Sequence, residues 1–222
     1  MMNFNTVIEN FDYLMDGLRM TVGLSVISIV GSLILGTSLG VLRYSKLYPL
    51  NYIATAFIEL TRSIPLILYI VFIHFTISPF LQENSLFTSL EMQSAYIALT
   101  LFTSAYIAEI VRSGLKSINK DCTDAAIALG LTYFQRLRYI ILPLAISRMM
   151  PALISQFISL IKDTSLASAI GLIELTRSGE IIYERTHNEF EILLFIAFVY
   201  FIICFSLSIM SKKLEPRHGL IN

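Results

Sequence analysis

The sequence predicts an all-α integral membrane protein of five transmembrane helices, with the N-terminus outside and the C-terminus cytoplasmic. Three observations predict it. Of 222 residues, 55% are hydrophobic and only 14% are charged, against roughly 45–50% and about 25% in soluble domains, and the mean hydropathy is +0.72. Uncharged apolar runs of bilayer-crossing length recur along the chain, and basic residues gather in alternate connections. The same numbers exclude other classes. Sixteen Lys+Arg balance 16 Asp+Glu, so no basic nucleic-acid surface is expected. Cys122 and Cys204, the two cysteines, can neither staple a disulfide scaffold nor complete a four-ligand metal site. His74, His187 and His218 stand without a second ligand at metal-site spacing, and no metal is expected.

The first span is residues 20–42, a run without charge between Arg19 and Arg43. A hydrocarbon core of about 30 Å needs roughly 20 helical residues. Glu9, Asp12 and Asp16 precede the run where a signal peptide would be basic. Gly36 and Gly40 give the span a small-xxx-small pair suited to close helix contact. The second span is residues 63–81, preceded by an apolar stretch over 47–58. Glu59 and Arg62 separate the two, three apart on one helical face, and predict an ion pair that holds this span to the next. Pro65 lacks a backbone donor and should bend the span. The third span, 92–108, ends at Glu109, which repeats the spacing with Arg112. The fourth is interrupted: residues 149–161, then Lys162 and Asp163, then 164–173, with Pro143 and Pro151 bracketing its start. The fifth, 192–211, carries no charge.

Charge sets the orientation, because short cytoplasmic connections collect Lys and Arg. One side holds Arg43, Lys46, Arg112, Lys116, Lys120, Arg136, Arg138, Lys212, Lys213 and Arg217. The other holds Glu9, Asp12, Asp16, Glu83, Glu91, Glu180, Glu184, Glu189 and Glu191, diluted by Arg19, Arg177 and Arg185. The expected organisation is an external segment over 1–18, a transmembrane domain over 19–211 with a cytoplasmic loop over 113–143, and a cytoplasmic tail over 212–222.

That loop is more than a connector. Ala125, Ala126, Ala128 and Leu129 favour helix, Asp121 and Asp124 suit a helix N-terminus, and Gly130 sits where the helix should stop. A basic-aromatic segment follows, Tyr133-Phe134-Gln135-Arg136-Leu137-Arg138-Tyr139, leading to Pro143. The residues alone allow two readings: a helix docking against a partner, or one lying at the lipid headgroups.

The spacing Asp124-Ala125-Ala126, Gly130, Ile140 and Leu142-Pro143 resembles the EAA loop of ABC-transporter importer permeases. Asp124 replaces the usual Glu, and Asp121-Cys122 stands where Gly-Gln is common. Further stretches are similar to the polar amino-acid branch of these permeases in the same order: Gly17-Leu18-Arg19-Met20-Thr21-Val22, Glu59-Leu60-Thr61-Arg62-Ser63-Ile64-Pro65-Leu66 with Ser63 for Gly, Ala105-Tyr106-Ile107-Ala108-Glu109 through Arg112 and Gly114, and Lys162-Asp163-Thr164-Ser165-Leu166. The resemblance implies a type I ABC importer permease fold in the bacterial cytoplasmic (inner) membrane, one half of a pore shared with a second copy or a homologous permease. It also implies two cytoplasmic ATPase subunits and an extracytoplasmic amino-acid-binding protein as partners. Asp124, Ala125, Ala126, Gly130 and Pro143 would then carry coupling to the ATPase.

No G-x-x-x-x-G-K-[ST] run is present to cradle nucleotide phosphates. No catalytic residue or cofactor is therefore expected in this chain, and the resemblance puts ATP and Mg on the partner. Charge within a span is costly and faces a bundle interior or aqueous cavity, so Lys162, Asp163, Thr164 and Ser165 are the candidate substrate path. Lys162 would meet the carboxylate of a zwitterion and Asp163 its ammonium, or the pair serves packing within the bundle. Two alternatives stand beside the amino-acid importer. One is a permease for another small solute; the other is an ATP-independent secondary transporter, against which the lack of an internal repeat counts.

Overall fold

The computed structural model describes residues 5–45, 48–80 and 89–214. Lys46, Glu83, Arg217, His218 and the rest of the tail beyond residue 214 lie outside the described residues, as do the side chains of Lys212 and Lys213. The described secondary structure is helical: α1 (Asn5–Glu9), α2 (Phe11–Tyr44), α3 (Tyr48–Ser63), α4 (Leu66–Ile77), α5 (Leu90–Lys116), α6 (Lys120–Ala128), α7 (Tyr133–Arg136), α8 (Leu142–Asp163), α9 (Leu175–Thr186) and α10 (Glu189–Leu214).

Four helical stretches are long and apolar enough to cross a membrane: Phe11–Tyr44, Leu90–Lys116, Tyr133–Ile170 and Glu189–Ser211. A fifth crossing arises if α3 and α4 count together. These two helices meet at 111°, the geometry of a broken span or a re-entrant loop, where Pro65 was expected to bend a single helix. Pro65 caps α4 with φ −58°; its ring and missing N–H end α3 two residues before it. The fourth span also differs from expectation. Its helical stretch begins at Tyr133, inside the loop assigned to 113–143, because a capping box starts the helix there. The Thr132 N–H donates to Gln135 Oε1 at 2.8 Å while the Gln135 N–H donates to Thr132 Oγ1 at 3.4 Å. One π turn, Leu137–Ile141, joins α7 to α8, and a 3₁₀ segment, Thr164–Ile170, continues α8.

The packing centres on α2 against α5. Thr21, Ser25, Ser28, Ser32, Gly36 and Gly40 are all buried on α2, and Ala95, Ala98, Ala105 and Ala108 are fully buried on α5. Small residues on both helices let the backbones approach closely. A Cβ added at Gly36 would stand 2.7 Å from Ile107 Cβ and from the Ser104 carbonyl oxygen, so this contact admits nothing larger. Leu24, Ile70, Leu99 and Phe102 form one core cluster between α2, α4 and α5. Leu14, Leu175, Ile182 and Ile192 form another, seating α9 on the starts of α2 and α10.

Candidate functional site

The loop after α5 builds a short, nearly detached helix. Asn119 accepts from the Asp121 N–H at 3.2 Å to start α6. At its end the Leu131 N–H donates to the Ala126 carbonyl at 3.1 Å and the Gly130 N–H to the Ile127 carbonyl at 2.9 Å. With Gly130 at φ +74°, this is a Schellman stop, which needs the left-handed backbone that glycine adopts without strain. Only Ala126 of α6 is buried; Asp124 and Ala125 are exposed, as is Pro143 at the start of α8. Ile127, Leu129, Tyr133 and Phe134 stand 51–79% exposed around them, an apolar rim on a polar loop. The loop's two feet are tied together: the Arg148 guanidinium donates to the Ser117 carbonyl, and to Ser117 Oγ at 3.3 Å.

A second constellation joins α2, α3 and α5. The expected Glu109–Arg112 pair is present, with Arg112 Nε 3.0 Å from Glu109 Oε2. Glu59 does not pair with Arg62. Instead Arg43 bridges two helices, 2.6 Å to Glu59 and 2.7 Å to Glu109, and Arg62 lies over the Tyr106 ring at 5.3 Å from its centroid. The i,i+3 geometry alone permitted Glu59–Arg62; the tertiary fold offered each a better-desolvated partner. Sequence reasoning placed Arg43 only as the fence of a span. Two acids at the ends of apolar runs, 59 and 109, were the signal that a cation could bridge them.

The Lys162 region divides. Lys162 is exposed and makes no ion pair or hydrogen bond through its ammonium among the described residues. It lines two crevices between α8 and α10. One is 320 Å³ and is shared with Ser165, Thr176 and Tyr200; the other is 460 Å³. Asp163 is half-buried. Thr164 turns the other way: it is fully buried and its hydroxyl donates to the Ile161 carbonyl at 2.7 Å, so it packs the core and lines neither crevice. Ser165 borders the 320 Å³ crevice, with its hydroxyl donating to the Lys162 carbonyl at 2.7 Å.

Bonded to Tyr200 of the 320 Å³ crevice stands Glu174, which sequence reasoning did not single out. It is fully buried and caps α9, accepting from the Thr176 N–H at 2.8 Å and the Arg177 N–H at 2.9 Å. The Tyr200 hydroxyl donates to it from α10 at 3.1 Å and the Thr21 hydroxyl from α2 at 3.4 Å. Thr21 Oγ1 in turn accepts from the Leu175 N–H at 3.1 Å. Burial pushes the Glu174 carboxyl up from the usual carboxylate range, and the donors around it oppose that shift. The signal was legible in principle: an acid directly ahead of a polar-apolar helical pattern.

Comparison with known proteins gives a consistent picture. The sequence model of the family described as "Binding-protein-dependent transport system inner membrane component" matches residues 31–219. A glutamate/aspartate import permease protein of Escherichia coli O6:H1, GltK, is 36% identical over 218 residues, covering 97% of each chain. A probable glutamine ABC transporter permease protein of Bacillus subtilis, GlnP, is 42% identical over 213 residues, covering 94% of this chain and 95% of that one. A solved amino acid ABC transporter with histidines superposes with a TM-score of 0.87 at 28% identity, over 98% of this chain and 99% of that one. An inward-facing methionine ABC transporter shares the fold with a TM-score of 0.72 at 22% identity, over 93% and 98%.

Proposed function

Because this chain belongs to the family of binding-protein-dependent transport system inner membrane components, we propose that it forms the path by which a polar amino acid crosses a bacterial inner membrane. It is a non-catalytic permease subunit of an ABC importer, working with ATPase partners and an extracytoplasmic binding protein. The observation that carries the amino-acid reading is the full-length likeness to permeases named for glutamine and for glutamate/aspartate.

The finer organisation follows as part of the same reading. Five spans put the N-terminal segment, residues 1–18, outside and the tail, 212–222, in the cytoplasm, around a transmembrane domain over 19–211. Two such chains, or this one and a homologue, face each other over two ATPase subunits. Helix α6, through Asp124, Ala125 and Ala126, seats in a cleft of the ATPase, and the Gly130 stop and Pro143 hold it at a fixed angle to α8. Its exposed apolar rim supports burial against a partner surface, and the likeness to importer permeases favours protein over lipid headgroups as that surface. Closure of the ATPases then moves α5 and α8 as nearly rigid bodies, and the Arg148–Ser117 contact supports their moving together.

Lys162 supplies the cation for the substrate carboxylate, since it is the charged group of the fourth span left open to a crevice. Asp163 and Ser165 flank it; Thr164 serves packing. The test is Lys162→Met in proteoliposomes holding the full complex with its binding protein. Uptake should fall at least tenfold with the ATPase still bound. Unchanged uptake kinetics would move Lys162 to a structural role.

A further inference from the structure

Arg19 fences the first span, and its guanidinium pairs with Asp16 at 2.6 Å. Both side chains are open, 80% and 67% exposed, and among the described residues neither bonds to another helix. Arg19, Val22, Val26 and Ile29 follow at three, four and three residues, along one side of α2. Past Arg19 that side becomes the wall of a 410 Å³ groove, closed by Ile161 of α8 and by Ile202 and Ile203 of α10. Small-ligand sites have volumes of about 300–1,000 Å³. The groove's serines, Ser25 and Ser206, donate to the Thr21 and Ile202 carbonyls of their own helices, each at 2.7 Å. What the groove offers is therefore hydrocarbon. Nearer the N-terminal end of α2 the two helices touch, with Phe11 and Phe195 ring centroids 6.5 Å apart and Leu14 and Leu18 packed among Ile192, Ile196 and Val199. From Arg19 to Ile29 the helix rises about 15 Å, half of a hydrocarbon core of about 30 Å. On α2 the groove is one leaflet deep, with a pair of opposite charges at its head.

We propose that this groove seats one acyl chain of a phospholipid whose zwitterionic headgroup carries a primary amine, with its phosphate on Arg19 and its ammonium on Asp16. In the orientation proposed above the lipid belongs to the outer leaflet. The charges select the headgroup. Glu9 and Asp12, both exposed, precede the pair, so a purely anionic headgroup meets more repulsion than attraction. A headgroup with both charges finds a partner for each. A primary ammonium donates N–H bonds to the Asp16 carboxylate, which a quaternary one lacks. The open pair also favours lipid over a second copy of this chain as the occupant. An apolar span laid along this side of α2 would strip water from both charges, a costly step, whereas a headgroup replaces that water with charged partners.

The test is photo-cross-linking in the assembled transporter, held in nanodiscs with equal amounts of phosphatidylethanolamine, phosphatidylcholine and phosphatidylglycerol of matched chains. One protein carries p-benzoylphenylalanine at residue 26, in the groove, and a second carries it at residue 30, outside the groove. Val26 and Val30 are 54% and 53% exposed, so both sites tolerate the ring. The mass of the permease chain identifies each adduct. Residue 26 should take the ethanolamine lipid over either other lipid by about threefold or more, the scale of an exposed charge pair. Residue 30 should take the three in equal amounts. Asp16→Asn with Arg19→Gln should abolish the preference at residue 26 with ATPase assembly unchanged. Equal adducts at residue 26 in the parent mean annular lipid only and overturn the site. An excess of the choline or glycerol lipid, a preference that survives loss of the pair, or an adduct joining two permease chains overturns it as well.

Discussion

Replacing Glu174 by Ala should destabilise the bundle more than any exposed substitution, because one carboxylate ties three helices. Its loss uncaps α9, which costs about 1 kcal/mol. It also leaves the Tyr200 hydroxyl without its carboxylate acceptor inside the fold, a further penalty of about 1–3 kcal/mol. The sum is roughly 3 kcal/mol, or a fall of about 6–12 °C in the midpoint of thermal unfolding for a chain of this length. The assay is unfolding of the purified complex followed through this chain, for Glu174→Ala, Tyr200→Phe and the double variant. With the hydroxyl also removed, no donor from α10 is orphaned, so the double variant should lose about 1–2 kcal/mol less than the sum of the singles. Strict additivity would refute the carboxylate–hydroxyl tie. The sign of the pH effect follows from burial raising the Glu174 carboxyl. The native state holds that proton more tightly than the unfolded chain. This contribution is therefore full below the ordinary glutamate range and is lost as pH rises through the raised value. Glu174→Ala should lack that slope.

Further outcomes concern coupling and the ionic bridge. Gly130→Leu meets no neighbour within 4 Å but forces a side chain onto φ +74°, a strain of about 1–2 kcal/mol. Uptake per ATP hydrolysed should fall several-fold with membrane insertion intact, and normal coupling would sink the role given to α6. Arg43→Met removes the cation between Glu59 and Glu109 and should cost about 1.5–3 kcal/mol. A thermal midpoint equal to the parent's would show that the bridge contributes nothing measurable.

How much was readable beforehand depended on whether a feature was local. The apolar runs, the Gly130 stop and the Gly36–Gly40 contact are written in short stretches, and the helices formed where those stretches predict them. The early start of the fourth helical stretch was missed because the Thr132–Gln135 capping box lies within a segment whose basic and aromatic residues read as loop. The break before Pro65 was read as a bend, since proline signals a disturbed ladder but not the angle that packing on α5 then selects. Arg43 and Glu174 escaped for one reason. Their roles exist only between helices far apart in sequence, 66 residues from Arg43 to Glu109 and 153 from Thr21 to Glu174. Thr164 was grouped with Lys162 by closeness in sequence, although helical residues two apart point about 200° apart, and one faces the core while the other faces the crevice.

The most direct test of the central claim is ATP turnover and uptake by the assembled complex in proteoliposomes, with its binding protein, across the twenty amino acids plus cystine and ornithine. The account predicts that one or a few polar amino acids raise both, and that Lys162→Met abolishes the uptake. A complex that hydrolyses ATP yet responds to none of them would contradict the amino-acid path.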